Sequence, residues 1–324
     1  MRAAWYEKNG SATEVLIVGE LPDAMPGPGE VRVRLHASAV NPSDVKARAG
    51  SRKVVWDRVV PDSDGAGVID CVGSGVETSR IGQRVWVYNG QWERPHGTSA
   101  QYIALPAALA VPLADRLSFE EGACLGIPVM TAHRCLFADG PVAGKTVLVT
   151  GGAGVVGHYA VQLATWAGAQ VVTTVSSDAK AAHARAAGAD IAINYRNENV
   201  VERIRAEVGG VDRIVDVDFG KNLPVSAAVL KPHGAITCYA SASVRDAVFP
   251  YNDLLRLNIS VRPVFVYTMS DAAKAQAHAD IARWVREAKP IFAIALRFSL
   301  EEAVQAHLAV ERGEKIGHVL LTPL

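Results

Sequence analysis

Cysteine is scarce in this chain. Its 324 residues hold four, at positions 71, 124, 135 and 238, far apart and without a C-x-x-C pair. That spacing argues against a structural zinc lobe. Each cysteine lies among apolar neighbours and reads as a small buried side chain. An excess of one charge is missing too: 33 basic residues balance 33 acidic ones, without a basic stripe, so no nucleic acid is expected as a partner. No window approaches the ~20 uninterrupted apolar residues of a membrane span. Repeats and low-complexity tracts are absent. The chain opens on a strand-like run, Met1–Glu7, and not on a charged-then-apolar leader. The expectation is a cytoplasmic protein with no membrane association. The apolar share of 49% and charged share of 20% fit a well-buried α/β protein and not a disordered one.

The richest stretch runs from Lys145 to Gly157. Thr146–Thr150 reads as a short buried strand. Gly152-Ala153-Gly154-Val155-Val156-Gly157 supplies the G-x-G-x-x-G spacing, and a helix follows to Trp166. In this pattern Gly152 permits the tight turn, Gly154 admits a pyrophosphate close to the backbone, and Gly157 lets the helix pack on the strand. The helix N-terminus offers free N–H groups and a positive dipole end to phosphates. A lone glycine pattern is weak evidence. Here a strand precedes it and a second strand, Gln170–Val175, follows the helix, which is the context a dinucleotide site requires.

Before this stretch, short alternating or β-branched runs (Val31–Leu35, Gly67–Val72, Arg84–Val87 and Gln101–Leu105) are separated by Pro/Gly turns and predict a mostly antiparallel β domain. After Ser118-Phe119-Glu120-Glu121, an N-cap with acidic residues in the first turn, strands and helices alternate. Strands are expected at Val147–Thr150, Val171–Val175, Ile191–Ile193, Arg213–Val217, Ala235–Tyr239 and Ser260–Val266. Helices are expected at Ala179–Ala187, Val200–Val208 and Leu223–Leu230. Strands spaced by helices imply a parallel, doubly wound sheet. Two helices, Asp271–Glu287 and Leu300–Glu311, and a strand His318–Leu321 complete the chain.

Several segments carry a family likeness: Ala39-Val40-Asn41-Pro42-Ser43-Asp44 with Arg48 and Gly50, then Pro61-Asp62-Ser63-Asp64-Gly65-Ala66-Gly67, and Pro128-Val129-Met130-Thr131-Ala132. The glycine turn, Gly188-Ala189-Asp190 to Asn194-Tyr195 and Leu230-Lys231-Pro232-His233-Gly234 complete it. In these the chain resembles the zinc-free quinone oxidoreductases, of the zeta-crystallin type, in the medium-chain dehydrogenase/reductase superfamily. The resemblance implies an α/β fold in which a doubly wound parallel Rossmann sheet is inserted into a β-rich, GroES-like catalytic domain. It implies a first part at residues 1–120, an NADP-binding domain at 121–262 and a return at 263–324. A homodimer is expected, joined along the edge strand Ser260–Val266. Zinc-dependent relatives place a His-Glu pair where this chain has Ser63-Asp64, so no metal ligand set is expected. Hydride transfer without a Lewis acid suits an acceptor already electron-poor, a quinone or an enone, and not a simple alcohol.

The cofactor expected is NADP, as NADPH. Strand two ends in Val175-Ser176-Ser177-Asp178, where an acid would bind the ribose hydroxyls of NAD. Ser176 takes the decisive position and is neutral, and in the family the places of Ser176, Lys180 and Tyr195 surround a 2′-phosphate. Asp178 becomes the NAD-selecting acid if the register is shifted by two. The resemblance puts Asn41, Pro42 and Thr131 near the nicotinamide, with Val264, Phe265 and Val266 reaching its carboxamide through backbone groups. It adds Tyr239, Val155 and Val156 to the cofactor set. Asn41, Lys46 and Thr131 are the candidate catalytic residues; Lys46 replaces a tyrosine common in the family. Tyr88, Asn89, Trp92 and Arg262 are further pocket candidates. The function implied is reduction of a quinone by NADPH without metal. The alternatives are reduction of alkenal, enone or enoyl-thioester double bonds, and an NADPH-binding structural or RNA-associated, crystallin-like protein.

Overall fold

The computed structural model describes residues 1–313 and 315–323. The chain forms two units: Met1–Ile127 together with the chain from Phe292 onward, and Pro128–Ile291.

The first unit is built on a seven-stranded sheet around the strand Glu30–Val40. One edge of that strand pairs antiparallel with Asp64–Val72. Its other edge is shared between Tyr102–Pro106, opposite Glu30 to Arg34, and His318–Thr322, opposite Ser38 to Val40. Arg84–Val87 and Ala110–Pro112 extend the sheet on the first side. Ile294–Ser299 lies parallel to His318–Thr322 on the second. Val31, Val33 and Leu35 alternate along the strand and pack with Ile69, Val85, Ile103 and Leu105, all fully buried. At period two one face of the strand is core, and each such side chain contributes about 1.5–3 kcal/mol by leaving water. The strand ends where Pro42 starts the short helix Pro42–Lys46. Proline suits a first helical turn because its missing N–H would have no partner there.

The second unit carries a six-stranded parallel sheet. Its order is Ile191–Asn194, Gln170–Val175, Thr146–Thr150, Val211–Asp216, Leu230–Cys238 and Ser260–Pro263. In chain order this is third, second, first, fourth, fifth, sixth. The order reverses between Thr146–Thr150 and Val211–Asp216, the point outside whose carboxyl ends doubly wound sheets bind ligands. Val147, Leu148 and Val149 are fully buried, as expected of a strand covered on both faces.

Three expectations need correction. The return to the β-rich unit starts at Phe292 and not at 263. The helix Asp271–Glu287 belongs to the second unit because its apolar face, Ala277, Ile281, Trp284 and Val285, is buried there; Trp284 meets Tyr159 edge-on, and Asp280 bonds His133 at 2.9 Å. The last strand of the sheet stops at Pro263, and Val266 already begins a tight turn, Val266–Thr268. The structure adds elements that the sequence analysis does not give, among them the helix Tyr251–Leu257 and the edge strand Ile294–Ser299. No helix among the described residues is long and apolar enough to cross a membrane.

Candidate active site

The glycine turn divides its labour differently from the sequence pattern. The left-handed residue is Gly151, at φ 68°. Gly152 is required for space, since a Cβ there would stand 2.0 Å from Thr173 Oγ1 on the neighbouring strand. A Cβ on Gly157 would stand 2.3 Å from the Gly151 carbonyl oxygen, so the helix Val155–Trp166 packs directly against the turn. Gly154 is the open member: its Cβ would meet nothing nearer than the Gly151 oxygen at 3.3 Å. It occupies the N-cap of the helix without a side chain to cap it. The first-turn N–H groups at Val155 and Val156 therefore lack a side-chain acceptor from the cap, which is the cradle an anionic phosphate fits.

Ser176 directly follows the strand Gln170–Val175, and Lys180 lies in the first turn of the helix Asp178–Ala186. The Lys180 Nζ sits 3.1 Å from Ser176 Oγ, while the Ser177 hydroxyl caps the helix by accepting from the Lys180 N–H at 3.4 Å. Tyr195 is about half exposed. Its N–H donates to the Val175 carbonyl at 3.1 Å, which holds it beside Ser176 at the ends of adjacent strands. Asp178 accepts instead from Asn194 Nδ2 at 3.4 Å. A cation and a hydroxyl thus meet where strand two ends, and the Asp178 carboxylate accepts from Asn194.

Tyr239 directly follows the fifth strand, bonded through its N–H to the Asp216 carbonyl at 3.1 Å, and burial raises its phenol above the usual range. Val264 and Val266 are buried while Phe265 is exposed. The Val264 N–H is committed to the Cys238 carbonyl at 2.7 Å, so of the expected backbone contacts that donor is spoken for. Thr131 is buried in the helix Ile127–Phe137. Arg262 faces Asp139 in a forked ion pair, closest contact 2.6 Å.

In the first unit Asn41 and Asp44 are buried and Lys46 is exposed at the end of its helix. The Asn41 N–H donates to Asp44 Oδ2 at 2.9 Å, and its Nδ2 donates to Asp64 Oδ2 at 2.8 Å. In the sequence Asp44 and Asp64 stand only as members of two separate motifs, and no local pattern shows that both meet Asn41. Of the other pocket candidates, Tyr88 is core against Trp86, and Trp92 carries the Arg52 guanidinium 5.1 Å above its ring. Among the described residues no group of three or more His, Cys, Asp or Glu side chains is placed to hold a metal ion.

A parallel sheet in this order with a glycine turn at its switch point is a Rossmann unit, and a β-rich unit accompanies it. The family model for the alcohol dehydrogenase GroES-like domain matches residues 27–115, and that for zinc-binding dehydrogenase matches residues 155–282. A quinone oxidoreductase of Rattus norvegicus is 30% identical over 99% of this chain and 97% of its own. The chain belongs to the medium-chain dehydrogenase/reductase superfamily, in its quinone oxidoreductase family. Among solved structures, an NAD-dependent alcohol dehydrogenase superposes with TM-score 0.90 at 31% identity, covering 99% of both chains. A mycobacterial protein complexed with NADPH superposes with TM-score 0.88 at 27% identity over all of both chains.

Proposed function

We propose that this chain is an NADPH-dependent oxidoreductase that passes a hydride to a quinone without the help of a metal. The observation that carries the cofactor assignment is the Lys180 ammonium 3.1 Å from Ser176 Oγ at the end of strand two. A carboxylate at that position would repel a 2′-phosphate, whereas a cation with a hydroxyl attracts one. The residues fit the group: Gly152, Gly154 and Gly157 with the N–H groups of Val155 and Val156 for the pyrophosphate, Ser176, Lys180 and Tyr195 for the 2′-phosphate. Tyr239 and the segment Val264, Phe265, Val266 would line the rest of the cofactor. When bound, NADPH supplies the hydride at its nicotinamide C4.

The protein's own share is orientation. Asn41, Pro42 and Thr131 are assigned to the reacting end of the cofactor. Lys46, exposed and cationic, is assigned to the acceptor and influences which acceptors are accepted. The acceptor class follows from kinship with quinone oxidoreductases and from Ser63 standing where zinc-dependent relatives carry a histidine. Without a Lewis acid the acceptor must be activated by its own conjugation. We assign the protein to the cytoplasm and to a homodimer. The edge strand Ser260–Pro263 and the exposed Val248, Tyr251 and Leu255 just before it support the dimer, because an apolar edge favours pairing. Light scattering at micromolar concentration and metal analysis of the same preparation check the dimer and the absence of zinc.

A single screen tests the reading: NADPH oxidation against benzoquinones, naphthoquinones, alkenals, enoyl thioesters and simple aldehydes. Fast turnover is expected with quinones and none with saturated aldehydes. Turnover of alkenals or thioesters alone would make the protein a double-bond reductase. Tight NADPH binding without turnover would make it a binding protein.

A further inference from the structure

Asn41 is held from two sides by carboxylates of its own unit, and one of them is unusually constrained. Both oxygens of Asp64 lie 2.9 Å from the Ile127 N–H, at the first residue of the helix Ile127–Phe137. A Cβ on Gly126 would stand 2.1 Å from Asp64 Oδ1, so the carboxylate occupies the space that this glycine leaves. The Asp64 backbone is fixed as well: it pairs with Ala39 in the sheet, and Thr98 Oγ1 donates to its carbonyl at 2.8 Å. Asp64 is fully buried, and Asn41 is 4% exposed.

The direction of the 2.8 Å bond between them matters. An ionised carboxylate only accepts, so it selects one of the two ends of the Asn41 amide: Nδ2 turns toward Asp64 and Oδ1 turns away. Without that partner the amide can turn over, and its two ends offer opposite chemistry. We propose that Asp64 is a positioning residue for the reaction, locking the Asn41 amide with its carbonyl oxygen presented so that Asn41 works as a hydrogen-bond acceptor. This rests on the role given to Asn41 above.

The surroundings make the lock sensitive to pH. Burial pushes Asp64 up to about 8, against the pull of its donors Ile127 N–H and Asn41 Nδ2, and Asp62 adds to the rise. Asp44 is held well above the usual carboxylate range by burial and by the charges of Asp62 and Asp64, with Arg52 the cation opposing it. Asp62 in turn lies 3.4 Å from the buried His307. A proton on Asp64 makes it a donor as well as an acceptor and frees the amide to turn.

The test is steady-state kinetics with the acceptor found in the screen, on wild type, Asn41→Ala, Asp64→Asn and the double variant. The Asp64→Asn side chain keeps the volume and can still accept from Ile127, but it offers an NH₂ toward Asn41. Asp64→Asn is expected to lower kcat about tenfold or more, the scale of a misoriented reacting group, with the KM for NADPH nearly unchanged. Because Asp64 acts through Asn41, Asn41→Ala/Asp64→Asn should be no slower than Asn41→Ala alone. Wild-type kcat should rise with pH through about 8 on a limb that Asp64→Asn lacks. If Asp64→Asn does not fold, Asn41→Asp/Asp64→Asn replaces it: the bond is reversed, an acceptor oxygen is still presented, and substantial kcat should remain.

Wild-type kcat in Asp64→Asn, persistence of its pH limb, a double variant much slower than Asn41→Ala, or a folded reversal variant without turnover overturns the proposal and leaves the functional reading standing. Wild-type kcat in Asn41→Ala overturns the role of Asn41 and this proposal together. Failure of every acceptor overturns the proposed function first and the proposal with it.

Discussion

Lys180 is the residue whose charge we propose reads the 2′-phosphate of the cofactor. Its ammonium has one short side-chain contact, Ser176 Oγ at 3.1 Å, and a 2′-phosphate placed there would gain a charge-assisted bond. Lys180→Ala should weaken NADPH binding by about 1–3 kcal/mol, the scale of a lost hydrogen bond to a charged group, and leave NADH binding almost unchanged. Titration of both cofactors by nucleotide fluorescence checks this; equal losses would show that Lys180 does not read the phosphate. This pair could be read from sequence because its members lie four residues apart, across one strand end and one helix start. Asp64 could not. Its partners Asn41 and Ile127 are 23 and 63 residues away, and Arg262 meets Asp139 across 123 residues. No local pattern records such distances.

The helix Val155–Trp166 and its glycine turn give the clearest test at the scale of one element. Gly157→Ala sets a Cβ 2.3 Å from the Gly151 carbonyl oxygen, a backbone atom that cannot swing aside. It should destabilise the protein by about 1–3 kcal/mol, as overpacking does. Gly154→Ala meets its nearest neighbour at 3.3 Å and should leave the melting temperature nearly unchanged while weakening NADPH binding, since the new methyl stands where a phosphate would approach. Melting curves and cofactor titrations of the two variants separate the effects; matched losses of stability would contradict the division of labour. Helices of this unit were legible from their period of 3.6, and its strands from short continuous apolar runs such as Thr146–Thr150, because both signals are written locally. The apolar stripe of Asp271–Glu287 shows that the helix packs, but not against which unit. Ile294–Ser299 was passed over because its burial is only partial along its length, so it lacks a strong alternation.

Across the molecule burial disfavours the charged form of several histidines and of two carboxylates, and stability should follow pH accordingly. Burial lowers His36, His96, His133, His158, His183 and His278, with His158 and His278 brought to about 4. For these the unfolded chain binds more protons below about 6.5, so their contribution is present above that pH and is lost as pH falls toward 4. Asp44 and Asp64 are raised, Asp64 to about 8. Here the folded chain holds more protons, so stability falls as pH rises from about 4 to about 8. Below about pH 6.5 the two sets oppose each other; above it the histidines no longer contribute a slope and the carboxylates lower stability as pH rises toward 8. At higher pH Tyr6, raised to about 12, and Cys238, raised to about 11, continue the decline, because burial keeps their protons on in the folded state. The unfolding midpoint should therefore fall as pH rises from about 6.5 to 8. Asp64→Asn should flatten the fall between about pH 6.5 and 8, and His158→Gln should remove that histidine's share of the slope below about 6.5. Thermal melts across buffers of constant ionic strength decide it. A wild-type midpoint that climbs steadily from about pH 6.5 to 8 would show that the buried carboxylates are ionised at no expense to the fold, and would also remove the physical basis for the pH limb assigned to Asp64.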